Sequence, residues 1–559
     1  MARRSDILRD QSMSTTESLS GASARGGVYM LVRRLTANAI RLGAVAVLAR
    51  RVERAEFGVV ALAQLAVSLL TVFGTGGITT YIICDRDDDW RTRLSPAFWL
   101  NLALTLASCA IALAALPIVD AIYGEPHLIG ALVVVLATYF LTQLRMVPEA
   151  LLQRSLAFRW VAARDTVRDL FIAGLGVAMA LTGFGVWSLV VPNLIAAPLD
   201  VAATAWRARF WPAPQLGRAH WRRIFTYTRN VIAEQLLSFI GNETDTAIVA
   251  KVMGATVVGG YNLAYQLANL IGKNVSSVLT LVSTPALAAA FERRGEIGPP
   301  YRKLMRVLSL LSTPLLIGML VLADDLIALV YGPRWADTAP LLRVFIASTL
   351  VRSVTSPSGA VFNVVGRPEV SMQIALGFIA LYVPLLIGLA HQPILVFAIG
   401  VAAARIAVGL ISLYVSLDLV GESKLRVTAE LARPLIAAGA MAAVVWPVLG
   451  GLARVGVPGA ARMAIAGVVG AASYYVAIRA IAPRAYAEAR GLVDELRARR
   501  RRRAEPLRAA HSGRSPRIQR TCHPHRSVRS ATGRDPCAGR CPVAAARVYR
   551  RLGRRRGTR

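Results

Sequence analysis

Nine polar residues stand inside strongly apolar stretches of this 559-residue chain, and their types and spacing suit the binding of an anion and of hydroxyl groups. Arg34, Asn38 and Arg41 fall at i, i+4 and i+7, on one helical face, with Arg33 adjacent. Asn262, Gln266, Asn269 and Lys273 continue the same spacing over one more turn, with Asn274 beside them. Arg352 and Arg405 each sit near the middle of an apolar window. An arginine at a helix centre costs about 2.5–3.5 kcal/mol on insertion scales, so each must face a partner or a water-filled space. Guanidinium forks hold oxyanions through paired N–H···O bonds, and amides serve neutral hydroxyls. Four carboxylates, Asp200, Glu234, Glu243 and Asp245, are candidates for coupling to a proton or sodium gradient. The competing reading has these groups pair across helices, Arg33 with Glu234 for instance, and bind no ligand.

The elements that must position them are long and apolar. Hydrophobic residues make up 55% of the chain and charged residues 17%, against roughly 45–50% and about 25% in soluble proteins. The excess lies in long blocks, which excludes an ordinary soluble enzyme. It also excludes an outer-membrane barrel, whose strands alternate in segments of about ten residues. The expected fold is an all-α polytopic membrane protein. Windows long enough to cross a bilayer fall at 28–50, 57–83, 96–122, 128–150, 165–183, 184–206, 227–250, 256–282, 304–330, 338–364, 370–390, 393–418, 431–450 and 460–482. That is about fourteen spans, with the fifth and sixth divided only at Thr182-Gly183-Phe184-Gly185.

Charge orients these windows. With the N-terminus inside, the inner loops carry 22 basic residues and the outer loops six, which are Arg50, Arg51, Arg54, Lys251, Arg334 and Arg454. The bias follows the positive-inside rule and predicts both termini in the cytoplasm. The chain's net charge of +33 is concentrated at one end: Arg497 to Arg559 holds 21 arginines against Glu505 and Asp535. The expected organisation is a cytoplasmic segment 1–27, an N-lobe 28–206, an interfacial linker 207–226 mixing Trp, Phe and Arg, a C-lobe 227–418, two further helices over 431–482, and a basic, disordered cytoplasmic tail 483–559.

The two lobes are predicted from an internal repeat. The pattern Ala-[Arg/Lys]-x7-Gly-x3-Leu-Ala begins at Ala49 and again at Ala250, an offset of 201. Ile118-Val119-x-x-Ile122-Tyr123-Gly124 likewise matches Leu326-Ile327-x-x-Val330-Tyr331-Gly332 at an offset of 208. Each offset spans six windows, so both units enter the membrane from the same side, as parallel repeats do.

Five stretches carry a family resemblance. They are Leu48-Ala49-Arg50-x6-Phe57-Gly58-Val59-Val60-Ala61-Leu62, Leu152-Gln153-Arg154-Ser155-Leu156-Ala157-Phe158-Arg159, Gly183-Phe184-Gly185-Val186-Trp187-Ser188-Leu189, Tyr331-Gly332-Pro333-Arg334-Trp335 and Gly366-Arg367-Pro368-Glu369. Over about residues 28–482 the chain resembles the lipopolysaccharide biosynthesis (Wzx-type) oligosaccharide flippases of the multidrug/oligosaccharidyl-lipid/polysaccharide exporter superfamily, in the branch of the colanic and teichuronic acid exporters. The resemblance implies two lobes around a central cationic cavity. It also implies movement of an undecaprenyl-diphosphate-linked oligosaccharide across the bacterial inner membrane by alternating access, for lipopolysaccharide, exopolysaccharide or capsule biosynthesis. In such a cavity Arg34, Arg41, Lys273, Arg352 and Arg405 would neutralise the diphosphate, Asn38, Asn262, Gln266 and Asn269 would bond sugar hydroxyls, and the prenyl tail would stay in lipid. Membrane lipids, a polysaccharide polymerase and chain-length proteins are the partners it suggests.

Other functions fit less well. A drug/cation antiporter of the same superfamily would favour membrane carboxylates over the arginines of the first window. A membrane glycosyltransferase or polymerase would need a sizeable outer loop with catalytic side chains. No phosphate-cradling G-x-x-x-x-G-K-[ST] loop is present. The cluster Asp85, Asp87, Asp88 and Asp89 reads as a solvated loop, and Cys522, His523, His525, Cys537 and Cys541 lack the spacing of a zinc site. Neither enzymatic activity, cofactor, metal nor nucleic acid is expected.

Overall fold

The computed structural model describes residues 36–75, 90–155, 157–214, 218–270 and 297–483 together with a few single positions near them, Arg33 among these. Arg34, Lys273, Asn274, the Asp85–Asp89 cluster and the basic tail lie outside the described residues. The chain divides into two compact units, Met1–Leu492 and Val493–Arg559, and every described helix belongs to the first.

That unit is built from helices. The first half contains α1 (36–51), α2 (Arg54–Thr75), α3 (Leu94–Tyr123), α4 (Leu128–Leu144), α5 (Met146–Arg154), α6 (Phe158–Leu181) and α7 (Trp187–Ala208). The second half contains α8 (Arg218–Met253), α9 (255–270), α10 (Gly298–Val321), α11 (Ala323–Val330), α12 (Ala339–Thr355), α13 (Ser358–Val364), α14 (Pro368–Leu389) and α15 (Ile394–Val420). Two further helices, α16 (Lys424–Arg454) and α17 (Gly459–Ile481), pack on each other and on α10.

Fourteen spans are expected from composition, yet among the described residues eight helices are long and apolar enough to cross a membrane, or nine if α4 and α5, bent by 42°, count as one. Of the elements outside that count, α6 and α8 are excluded by polarity, while α1, α9 and α12 have fewer than 18 described residues. Arg159, Arg164, Asp165, Arg168 and Asp169 enter the first half of α6, and α8 carries a basic first half. α12 has 17 residues. The boundary at Thr182–Gly185 is real: Gly183 (φ 85°) and Gly185 (φ 51°) take left-handed conformations that end α6 before α7 begins.

One contiguous apolar core joins the two halves. Ala49, Val59, Val60, Leu62, Ala63, Leu128 and Val190 of the first half pack with Val249, Val258, Tyr261, Leu267, Trp335 and Phe345 of the second. Phe57 meets the Trp335 ring edge-on with centroids 5.5 Å apart. A polar cleft lies beside this core.

Candidate functional site

Between the halves a cleft of about 410 Å³ is lined by Ser68 and Val72 of α2, Gln235, Ser238, Phe239, Asn242 and Glu243 of α8, Tyr265 of α9 and Arg352 of α12. Its chemistry is amide, hydroxyl, one carboxylate and one guanidinium. The Arg352 guanidinium donates through Nη2 to Asn269 Oδ1, which also lies 3.5 Å from the Thr349 hydroxyl. Asn269 is buried and spends its own N–H on Tyr265 O at 2.9 Å. Among the described residues, Arg352 is therefore held toward the cleft by a neutral partner.

The predicted stripe on α9 divides. Gln266 is exposed and donates to Asn262 Oδ1 at 2.8 Å, whereas Asn269 faces inward on Arg352. Asn38 is half-buried on α1 and Arg41 is exposed. Arg41 approaches Asp169 only to 3.7 Å. Glu243 reaches the cleft, and Glu234 is exposed on α8.

Arg405 departs from expectation. Instead of facing the cleft it is buried beneath it, 3.1 Å from Asp245 Oδ2 and 3.4 Å from Asn242 O, with its guanidinium 4.7 Å over the Tyr265 ring. Tyr261 donates its hydroxyl to the same Asp245 oxygen at 2.5 Å. Burial of a guanidinium demands a carboxylate at close range, and Asp245 supplies it from two residues beyond the cleft's Glu243.

A second ionic cluster lies outside the sequence-based expectations. Arg33 pairs with Asp165 at 2.5 Å, not with Glu234. Arg164 reaches Glu149 at 2.6 Å, Asp165 at 2.6 Å and Asp200 at 3.1 Å. Arg168 reaches Asp169 at 3.1 Å and Asp200 at 3.3 Å, and Arg145 also pairs with Asp200. Asp200 is thus clasped by three arginines. The sequence does carry a signal for this cluster in the repeated Arg164-Asp165 and Arg168-Asp169 pairs, four residues apart on one face of α6. Treating Arg164 and Arg168 as inner-loop charges conceals it.

Away from the cleft, at the other end of α2, the halves lock together. An added Cβ on Gly58 would stand 1.9 Å from Ala255 O, and one on Gly259 would stand 2.6 Å from Arg54 O. These residues are the repeat's own positions: Gly58 and Gly259 differ by the offset, as do Arg54 and Ala255. The contact is reciprocal. Arg50 donates to Leu329 O and Lys251 donates to Ile122 O; these donors also differ by 201, while the acceptors differ by 207, one residue short of the second repeat's offset. Both acceptors lie in the last turn of a helix, where carbonyls lack intrahelical partners and the dipole favours a cation.

One side is reinforced further. Arg334 donates to Ala49 O and Val52 O, and the Trp335 indole donates to Ala49 O at 2.9 Å. Arg54 returns bonds to Arg334 O at 3.2 Å and Asp337 at 2.8 Å, with its guanidinium 4.9 Å over Trp335. Burial first, then the like charge of Arg54, lowers the Arg334 pKa from its ordinary value. On the other side Glu125 accepts from the Ala255 N–H at 3.1 Å. Ser68 of the cleft lies ten residues from Gly58 along α2, about 15 Å at the helical rise.

Residues 47–340 match the model of a family described as "Polysaccharide biosynthesis protein". The chain is 22% identical over 347 residues to the lipopolysaccharide biosynthesis protein WzxC of Escherichia coli (strain K12), covering 61% of this chain and 70% of that one. It is 22% identical over 302 residues to the teichuronic acid biosynthesis protein TuaB of Bacillus subtilis (strain 168), covering 54% and 62%. Among solved structures it is similar to the lipid II flippase MurJ in an inward closed conformation, with TM-score 0.65, 14% identity, and 82% of this chain and 98% of that one covered. An inward-facing multidrug resistance MATE family transporter gives TM-score 0.54 at 15% identity, covering 72% and 98%.

Proposed function

Because this chain belongs to the polysaccharide biosynthesis protein family, we propose that it is a flippase that carries an undecaprenyl-diphosphate-linked oligosaccharide across the bacterial cytoplasmic membrane for surface polysaccharide assembly. The named activities of the relatives and the fold shared with a lipid II flippase support this reading. The observation that carries it is the interlobe cleft: a guanidinium set on a neutral amide, among hydroxyls and amides, closed off on one side by reciprocal contacts.

The chemistry follows from what hydrocarbon rejects. A prenyl chain is at home in lipid, so only the diphosphate and sugars need a polar route. Arg352 gives the diphosphate a charged partner without first breaking an ion pair. A phosphate oxygen displaces the weaker Asn269 amide oxygen, since bonds with both partners charged are about twice as strong. Gln235, Ser238 and Asn242 offer donors and acceptors to sugar hydroxyls. Arg34, Arg41 and Lys273 complete the proposed anion-binding set, with Asn38, Asn262 and Gln266 as further polar partners.

The proposed organisation is two six-helix lobes, 28–206 and 227–418, joined by the linker 207–226 and followed by the helices over 431–482. Both termini are proposed to lie in the cytoplasm. In that orientation the reciprocal seal faces outward and the cleft inward, and transport exchanges the seal from one side to the other. Glu243 lines the cleft and is proposed, with Asp200, Glu234 and Asp245, as a carboxylate that could couple an ion gradient. A polymerase and chain-length proteins would take the delivered glycan on the outer face.

The test is surface polysaccharide export in a strain lacking the chromosomal copy. Arg352→Ala and Asn269→Ala are expected to insert normally and to abolish or strongly reduce export. Normal export from both variants would remove the cleft assignment.

A further inference from the structure

At the end of α7, Trp206, Arg207, Arg209 and Trp211 line a pocket of about 370 Å³ remote from the interlobe cleft. Trp206 and Trp211 are 75% and 80% exposed. Three other described tryptophans are tied down through the indole N–H. Trp99 donates its indole N–H to Ala213 O, Trp221 to Pro96 O and Trp335 to Ala49 O. Trp206 and Trp211 donate to nothing among the described residues, and neither Arg207 nor Arg209 has a hydrogen-bonding or ionic partner there.

The segment is nonetheless fixed in place. Phe210 is buried in a cluster with Ile78, Leu94, Ala97 and Val147. The Ala213 N–H donates to the Ser95 hydroxyl at 3.1 Å, while Ala213 O accepts from Trp99. Arg209 caps α7 in the left-handed region, φ 49°, where glycine is the ordinary choice. A charged side chain is thus kept at a position that favours none, between two outward indoles. Charge is one-signed here: from residue 201 to residue 233 the sequence has six arginines and no acid. Ile195, Leu199 and Trp206 follow one exposed face of α7, an apolar stripe running from the pocket along the helix.

We propose that this pocket is a binding site for the headgroup of an anionic phospholipid, a glycerophosphate diester such as that of phosphatidylglycerol. The guanidinium groups meet the phosphate oxygens. The indoles sit at headgroup level with their N–H groups toward the ester region, where tryptophan is enriched. The acyl chain lies along Ile195 and Leu199. The lipid is a resident of the interface and is not the transported molecule. The leaflet, inner, rests on the proposed cytoplasmic placement of both termini; the binding itself does not.

The experiment uses the purified full chain in detergent, with native mass spectrometry to titrate bound phosphatidylglycerol against phosphatidylcholine of the same chains. The wild type is expected to bind one phosphatidylglycerol in clear preference. Arg207→Gln/Arg209→Gln should lose about thirtyfold in that affinity, as two charges near a headgroup predict, with phosphatidylcholine binding unchanged. Arg207→Lys/Arg209→Lys should keep most of the preference. Arg209→Gly removes the charge while suiting the left-handed cap, so it should weaken phosphatidylglycerol with no loss of thermal stability. Equal affinity in wild type and the Gln double variant, or no preference over phosphatidylcholine, overturns the proposal. Displacement of the lipid by millimolar inorganic phosphate also overturns it, since the site would then serve a soluble phosphate ligand. A chain that binds phosphatidylglycerol this way but exports no glycan would sink the reading of the cleft and leave this site standing.

Discussion

Removing the Arg334 side chain should loosen the contact between the halves by a calculable amount. Arg334→Ala deletes the bonds to Ala49 O and Val52 O. A hydrogen bond from a charged donor is worth about 1.5–3 kcal/mol when buried. Arg334 is exposed as a residue, and Ala49 O keeps its bond from the Trp335 indole, so about 1 kcal/mol for each acceptor is the fitting figure. The sum of about 2 kcal/mol shifts the ratio of sealed to open states by about thirtyfold. Spin labels at Thr182 and Gln392, both exposed on loops of opposite halves, read the separation by pulsed dipolar spectroscopy in a cysteine-replaced background. Wild-type protein should give one short distance, and Arg334→Ala should add a longer one. Arg51→Ala serves as the control, because Arg51 is exposed and makes no bond among the described residues. If Arg334→Ala leaves the distribution as it was, or Arg51→Ala changes it equally, the seal does not hold the halves by these contacts.

Gly58→Ala should widen the same distance by a different route, since its Cβ would collide with the Ala255 backbone rather than with a movable side chain; normal separation and normal export together would disprove the close approach. Asp245→Asn strands the Arg405 charge and should destabilise the protein by about 3–5 kcal/mol, seen as early unfolding in detergent. Asp245→Leu with Arg405→Met should recover most of that loss, and a double variant no better than the single one would argue for a role beyond pairing. Asp200→Asn leaves Arg145, Arg164 and Arg168 crowded around a neutral group. A marked drop in thermal stability is expected, and unchanged melting would show that the cluster is held by other means.

Helix placement is legible in the sequence because apolar length and punctuation are local properties. Gly124, Gly332, Gly366 and Gly421 all take positive φ where an apolar window ends. The repeat is legible for the same reason, and its glycines stand where α2 and α9 cross. Partner identity is not legible. Offset arithmetic relates Arg33 to Glu234, but residues related by a two-fold axis touch only when they lie near that axis. Gly58 and Gly259 do; Arg33 does not, and it finds Asp165 two helical turns into α6 instead. Arg405 shows the same limit. A mid-membrane arginine signals that something compensates it, and the sequence alone offers Glu243 and Asp245, two positions apart, with nothing to say which one the fold turns inward.

The lock between the halves has a consequence for how its sequence can drift. Arg50, Lys251, Arg334 and Trp335 all deliver their N–H groups to main-chain carbonyls, at Leu329, Ile122, Ala49 and Val52. Every residue type carries that acceptor. As far as these bonds go, the receiving positions are indifferent to their side chains while the donors are not, although Ala49 and Val52 stay constrained by burial, and no compensating pair of substitutions will betray the contact. A scan of side-chain replacements would register only half of the fastening, the half that gives.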